Sequence, residues 1–429
     1  MRVLLVQSWL GGDGPAVFPI GLACLAASLS GHEVAAFDPN VAADPLGELA
    51  AKLRDFAPEV VGISLRNIDS TNTRVNVSYL EPFGRLLETV RKHCDAVRIV
   101  GGSGFSMFAG RLMAAFPAID YGVYLEGERT FADLIDALAG PDGDPSAVPS
   151  LYRRTPSGEV HFTGETEKID LTDLPSPDFG LLPLTPYAAV PWGVGVETKR
   201  GCALTCLYCP YGFLNGRSYR QKAPERVADE LFRLQTAFGI SHFTFLDSVF
   251  NFPETQARAV MEAMIDRGVT LSWSAWFTER GLTRDFLELA RRAGCATVIF
   301  SPDAFGDRAL ARLGKSTSVA EIKAAYRLVR DMGCFEVSYN FFKNPPGQTF
   351  FSAAAMVAFI LRARLEMRRR AHFELNSIRI EPHTALEKAA QAEGLIAPES
   401  DLLQPVMYSQ KRTNYIDKFF NILLKAAGK

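Results

Sequence analysis

The chain has 429 residues, 48% hydrophobic and 22% charged, with a formal net charge of −2 and a mean hydropathy of +0.04. That length exceeds what one hydrophobic core usually holds, so two or three domains are expected. The near-neutral charge removes any general electrostatic reason to expect nucleic acid or an anionic membrane as partner, and no apolar run is long enough for a spanning helix.

The first residues, MRVLLVQSWLGG, carry one basic residue and an apolar run too short for a secretory leader, which predicts a cytoplasmic protein. Residues 1–150 form the first predicted domain. Strands are predicted at 1–7, 33–38, 60–65, 96–100 and 121–125, and helices at 19–30, 45–55, 79–93 and 131–139. The alternation implies parallel βαβ units, hence a doubly wound Rossmann-like α/β sheet with its ligand crevice beyond the carboxyl ends of the strands. Residues 151–190 read as a linker that starts with a short hairpin turning at Pro156-Ser157-Gly158 and continues as a proline-rich crossing. A second α/β series follows over 191–386. Its strands are predicted at 194–198, 242–246, 271–275, 297–300, 335–341 and 375–380, and its helices at 224–238, 254–267, 283–293, 319–332 and 351–365. Six such units fit a partial TIM-like (β/α)6 barrel with its site at the C-terminal strand ends. Residues 387–429 remain as a short C-terminal extension.

Seven cysteines are present, and three of them fall within eight residues directly after the first barrel strand: Cys202-Ala-Leu-Thr-Cys206-Leu-Tyr-Cys209. Cys24, Cys94, Cys295 and Cys334 are scattered and read as small apolar residues. Thiolates are the natural ligands of iron–sulfur clusters, and spacings of three and two residues let one loop reach three corners of a cubane. The fourth iron would lack a protein ligand, which leaves a position for chemistry. A structural zinc site would need a fourth ligand, and the nearest histidine is His242.

CxxxCxxC with Tyr208 just before the third cysteine and Arg200-Gly201 ahead of the first resembles the radical S-adenosylmethionine (SAM) superfamily. The resemblance implies a [4Fe–4S] cluster on Cys202, Cys206 and Cys209. It also implies SAM on the open iron, and one-electron cleavage of SAM to methionine and a 5′-deoxyadenosyl radical. Asp247-Ser248 is similar to the family's second-strand motif, and Ser301-Pro-Asp303 with Lys315 to its ribose-side stretch. Tyr208, Asp247, Ser248, Ser301 and Asp303 are thereby implied to face SAM. Two departures from the pattern are Phe300-Ser-Pro, where a glycine is usual, and Gln348, where Glu is common.

An α/β domain ahead of such a barrel resembles the cobalamin-binding radical SAM class. Gly21, Gly31-His32 and Asp38 match its opening pattern, and Gly101, Gly102, Glu126 and Gly127 match its strand-end loops. Where many cobalamin domains carry Asp-x-His-x-x-Gly, this chain has Gln7-Ser-Trp-Leu-Gly-Gly12, so bound cobalamin is expected without a histidine lower ligand. Ser64-Leu-Arg66-Asn-Ile-Asp69 is similar to the corresponding stretch of the subgroup that includes tryptophan 2-C-methyltransferase, where an arginine lies under cobalt; Arg66 is the matching position.

The resemblance implies methyl transfer to carbon on a small-molecule or peptide-derived natural product, by a radical or a polar route. The substrate is expected between the cluster and the upper cobalt face. Tyr339 and Arg379, on late barrel strands, are the candidate catalytic residues, with Asn340 and Asn376 also expected in the cavity. An external electron donor such as flavodoxin or ferredoxin and a monomeric state go with this reading. Its rivals are 3-amino-3-carboxypropyl transfer, cyclisation without net methylation, and a nonenzymatic cobalamin or iron sensor.

Overall fold

The computed structural model describes residues 1–12, 14–71, 77–155 and 157–426, and the chain divides into two units, Met1–Gly193 and Val194–Lys429. In the first unit the chain runs β1 (Arg2–Gln7), α1 (Ile20–Ser28), β2 (Glu33–Phe37), α2 (Pro45–Phe56), β3 (Val60–Ser64), α3 (Leu80–His93), β4 (Val97–Gly101), α4 (Ser103–Ala115), β5 (Tyr121–Val123), α5 (Glu128–Ala139), β6 (Leu151–Arg154) and β7 (Val160–Phe162). The sheet order is β2-β1-β3-β4-β5-β6-β7, parallel through β5. The interior strand β1 carries an apolar run because helices cover both faces of a parallel sheet, and Val3, Leu4, Leu5 and Val6 are fully buried. Asp44 caps α2 by accepting from the Gly47 amide, and Pro45 takes the first helical position, where no backbone donor is required.

The segment expected to be a linker is built into this unit. β6 and β7 add antiparallel to the edge at β5. Adjacent residues of β6 face opposite sides of the sheet: Leu151 is fully buried on one, and Tyr152 stacks on its cross-strand partner Phe162 at 4.7 Å on the other. Pro156, expected in the hairpin turn, lies outside the described residues. Farther on, buried Tyr187 donates to Asp38 at 2.8 Å, just past β2, and Phe18 stacks against Phe179.

Loops after β1, β3, β4 and β5 gather at the carboxyl end of the parallel sheet. Gly102 adopts φ +100°, and a β-carbon there would lie 2.8 Å from the Leu65 carbonyl oxygen, so the turn from β4 into α4 needs glycine. Gly102→Ala should cost about 2–3 kcal/mol in urea unfolding of this unit, from strained backbone and overlap together.

The second unit opens with β8 (Gly195–Val196), β9 (Lys199–Arg200), α6 (Tyr211–Leu214), β10 (Arg220–Gln221), α7 (Pro224–Phe238) and β11 (His242–Phe245). It continues through α8 (Glu254–Arg267), β12 (Ser272–Phe277), α9 (Arg284–Arg292), β13 (Cys295–Asp303), α10 (Asp307–Arg312), α11 (Val319–Met332), β14 (Glu336–Phe342), α12 (Phe350–Met367) and β15 (Ala371–Asn376). Six strands form one parallel sheet in the order β8-β11-β12-β13-β14-β15, the partial barrel. The strand expected over 375–380 is two elements. β15 ends at Asn376, and β16 (Ile378–Arg379) turns away to pair antiparallel with β17 (Met407–Tyr408). Between and after them lie α13 (Ala385–Ala392) and α14 (Asn414–Ala426). Among the described residues no helix is long and apolar enough to cross a membrane.

Candidate functional site

The cysteines occupy the loop between β9 and β10, which pair antiparallel and pinch its base. Asp247, just beyond β11, sits beneath that base. It accepts from the Thr198 amide at 2.8 Å, the Thr198 hydroxyl at 2.5 Å and the Lys199 ammonium at 2.7 Å. The Lys199 and Asp247 side chains are 1% and 0% exposed, so this is a buried ion pair with its remaining hydrogen bonds largely supplied. Lys199 also donates to the Phe250 carbonyl at 3.1 Å. Beside it, burial disfavours charge on Glu197, but Arg200, Lys222 and Arg220 outweigh that and hold its carboxyl down at about 2. Gly201 has φ +97°, and a β-carbon there would fall 2.0 Å from the Ser218 oxygen; glycine lets the two sides of the loop close, with the Cys202 amide donating to Gly216.

The loop is braced from outside as well. The Leu207 amide donates to Leu313, at the end of α10, and the Leu207 carbonyl accepts from Leu386 in α13. Arg217 donates to the Leu204 carbonyl at 3.0 Å. Cys202 is buried and Cys206 and Cys209 are half-buried. Burial pushes the Cys206 thiol up and the Cys209 thiol to about 12; the Tyr211 amide opposes this at Cys209, while Cys206 and Cys202 add to it.

Three soft donors near enough to influence one another, with amide N–H groups directed at sulfur, fit an iron–sulfur cluster, whose positive charge would offset the cost of ionising buried thiols. Among the described residues no three His, Cys, Asp or Glu side chains converge as the ligands of a single metal ion would.

Beside the cysteines lies a second polar network. The Tyr208 hydroxyl donates to Asp303 at 2.5 Å, Lys315 pairs with the same carboxylate, and Lys315 also donates to the Ser301 carbonyl at 2.7 Å. Asn340 donates to the Ser301 hydroxyl at 3.1 Å, and Lys315 stands 5.5 Å from the Tyr208 ring centre. Asp303 holds φ +66°, unusual for a residue with a side chain, and its partners define that position. Burial raises its carboxyl against the opposing pull of Lys315 and Tyr208.

The structure thus brings Tyr208, Ser301 and Asp303 together beside the cysteine loop. Ser248 is half-buried next to Asp247, whose own carboxylate is consumed in holding the loop base. Tyr339 is elsewhere than expected. Along β14, Val337, Tyr339 and Phe341 are buried while Ser338, Asn340 and Phe342 alternate with them, and Tyr339 packs in the aromatic core with Phe300, Phe373 and Phe359 of α12. The two-residue period of a strand sends Tyr339 to the helix side and Asn340 to the other. Arg379 is also diverted. It leaves the barrel with β16 and binds Glu381 at 2.6 Å and the Leu402 carbonyl at 2.9 Å.

In the first unit, Arg66 is exposed on the loop after β3, and its carbonyl accepts from Ser103 at 2.9 Å. The Gly101 carbonyl accepts from Leu65, and Glu126, before Gly127 and α5, accepts from the Ile169 amide at 3.2 Å. Sequence reasoning did not single out Lys199 or Glu279 as site residues. A lysine in a strand-entry segment next to the cysteines was a usable signal; Glu279, in the loop after β12, gave none. Burial carries the Glu279 carboxyl from its ordinary 4.5 to about 7, opposed by its own backbone N–H and by Lys315.

The pattern of the radical SAM superfamily matches residues 196–360, and that of the B12 binding domain matches residues 13–135. An uncharacterized methyltransferase of Pyrococcus horikoshii is 27% identical over 371 residues, covering 84% of this chain and 77% of the relative. An anaerobic magnesium-protoporphyrin IX monomethyl ester cyclase of Cereibacter sphaeroides is 27% identical over 302 residues, or 67% of this chain, which spans only 47% of that protein. The radical SAM methyltransferase TsrM of Kitasatospora setae, solved with cobalamin and a [4Fe–4S] cluster bound, shares the fold. It has a TM-score of 0.77 and 23% identity, over 96% of this chain and 79% of that one. The fold and the braced cysteine loop therefore define a radical SAM enzyme. It belongs to those that carry an N-terminal B12-binding domain.

Asp247→Ala should destabilise the second unit by about 3–5 kcal/mol, because Lys199 is left as a buried unpaired charge, and should lower iron bound after reconstitution. Urea unfolding and iron analysis measure both. Glu279 sets a pH dependence of the opposite kind to an ordinary ion pair. Between pH 4.5 and about 7 it is ionised in the unfolded chain and protonated in the folded one, so stability falls as pH rises through this window. In urea unfolding, Glu279→Gln should gain on the wild type by about 3 kcal/mol across it.

Proposed function

We propose that the chain is a cobalamin-dependent radical SAM methyltransferase acting on a carbon of a small-molecule or peptide-derived natural product. The observation that carries this reading is the braced loop that gathers Cys202, Cys206 and Cys209 beside the Tyr208–Asp303–Lys315 network, in a chain with a B12-binding domain. When bound, the cluster and SAM supply reductive cleavage of SAM, and cobalamin supplies a methyl carrier. The three cysteines would hold the cluster and leave one iron open. Tyr208, Ser248, Ser301 and Asp303 would position SAM, with Asp303 kept in place by Lys315. Arg66 would lie under cobalt in place of a histidine, and Gly101, Gly102, Glu126 and Gly127 would border the corrin. An external one-electron donor of the flavodoxin or ferredoxin type completes the system. All seven cysteines are free, which supports a reducing, cytoplasmic address.

The cyclase relative favours a second reading, ring closure without net methylation. Product mass separates the two: methylation adds a methyl group, whereas cyclisation leaves the carbon count unchanged.

Anaerobic reconstitution with iron, sulfide and hydroxocobalamin should give a chain that holds both iron and cobalt. Iron loading with exclusion of cobalamin would sink the methyltransferase reading. Cys206→Ala should lose iron and SAM cleavage yet keep cobalt. Arg66→Ala should shift the visible spectrum of bound cobalamin, with iron content unchanged.

A further inference from the structure

The two carboxylates that the sequence nominates for SAM are already engaged. Asp247 is taken by Thr198 and Lys199 beneath the cysteine loop, and Asp303 by Tyr208 and Lys315 beside it. Glu279 is not. It follows β12 at the C-terminal rim of the barrel on a fixed backbone: Asn251 accepts from the Thr278 amide at 2.8 Å and donates to the Thr278 carbonyl at 2.9 Å. The residue is 5% exposed, and its Oε1 has no hydrogen-bond partner among the described residues. Charged groups whose fields reach it include Lys315, Asp303 and Glu321, and it acts in turn on the buried Tyr339 hydroxyl. Thr317, two residues past Lys315, contributes a second buried oxygen without a partner, its Oγ1. Leaving buried oxygens unmatched is costly, and groups in this condition in a cleft are matched by ordered water or by a ligand. The position after a barrel strand, on the rim where barrel ligands bind, favours the ligand.

We propose that Glu279 accepts a hydrogen-bond donor of SAM and is a SAM-binding residue of this enzyme. This rests on the radical SAM reading. It adds an acid from the third barrel strand's loop to a site for which the sequence offered only the second and fourth.

The test is SAM affinity of the full chain, reconstituted anaerobically, measured by equilibrium dialysis with labelled SAM, alongside the melting temperature without SAM. Glu279→Leu should weaken SAM binding roughly tenfold to hundredfold, the worth of a hydrogen bond to a charged group, without lowering the ligand-free melting temperature. Glu279→Gln, which keeps one acceptor, should recover part of the loss. Wild-type affinity in a folded Leu variant overturns the proposal and leaves an internal water as the partner. If the Leu variant does not fold, the Gln variant decides: severalfold weaker SAM binding at an undiminished melting temperature supports the proposal. Unchanged affinity, or a lower melting temperature, overturns it. A wild-type chain that holds its cluster iron yet binds no SAM would instead defeat the radical SAM reading.

Discussion

The buried pair of Lys199 and Asp247 is the constraint on which the site depends. A fully enclosed ion pair contributes little net stability when complete, because desolvation consumes most of the attraction. Its value here is positional. The pair joins the residue that enters the cysteine loop to the end of the neighbouring barrel strand, with Thr198 as a second tie. The loop therefore leaves the barrel at one angle, and Gly201 brings its two sides together. The cysteines inherit their positions from that base.

A second layer of order comes from the edge of the loop. Asp303 is the meeting point of Tyr208, which belongs to the loop, and Lys315, which follows α10. One carboxylate thus links the cysteine-bearing segment to β13. Its left-handed backbone is the local cost of that arrangement, and the surrounding hydrogen bonds sustain it.

Much of this was legible in the sequence. Helices predicted at 224–238, 254–267 and 319–332 have those bounds in the structure, because each has a clear amphipathic period and ends at a glycine: Gly239, Gly268 and Gly333. The cysteine spacing located the site, and Tyr208, Ser301 and Asp303 proved to be neighbours. What was not legible depended on partners remote in sequence. Leu151-Tyr-Arg-Arg looked like a linker hairpin because nothing local reveals that β5 offers it an edge. Tyr339 and Asn340 are adjacent in sequence, and only the orientation of β14 decides which of them packs under α12. Asp247 carried the right motif, but its saturation by Lys199 is a tertiary fact. Arg379 looked like a barrel residue until β16 was seen to leave the sheet.

The grip on Leu207 carries a consequence for how the protein is made. Its amide is held by Leu313 and its carbonyl by Leu386, the latter near the far end of the second unit. A ribosome delivers the cysteines about 180 residues before it delivers the last of these clamps. Until Leu386 is made, the loop lacks the donor that ties down its Leu207 carbonyl. The loop is thus complete only once α13 has folded against it, and a chain cut short before residue 386 carries all three cysteines without the full brace.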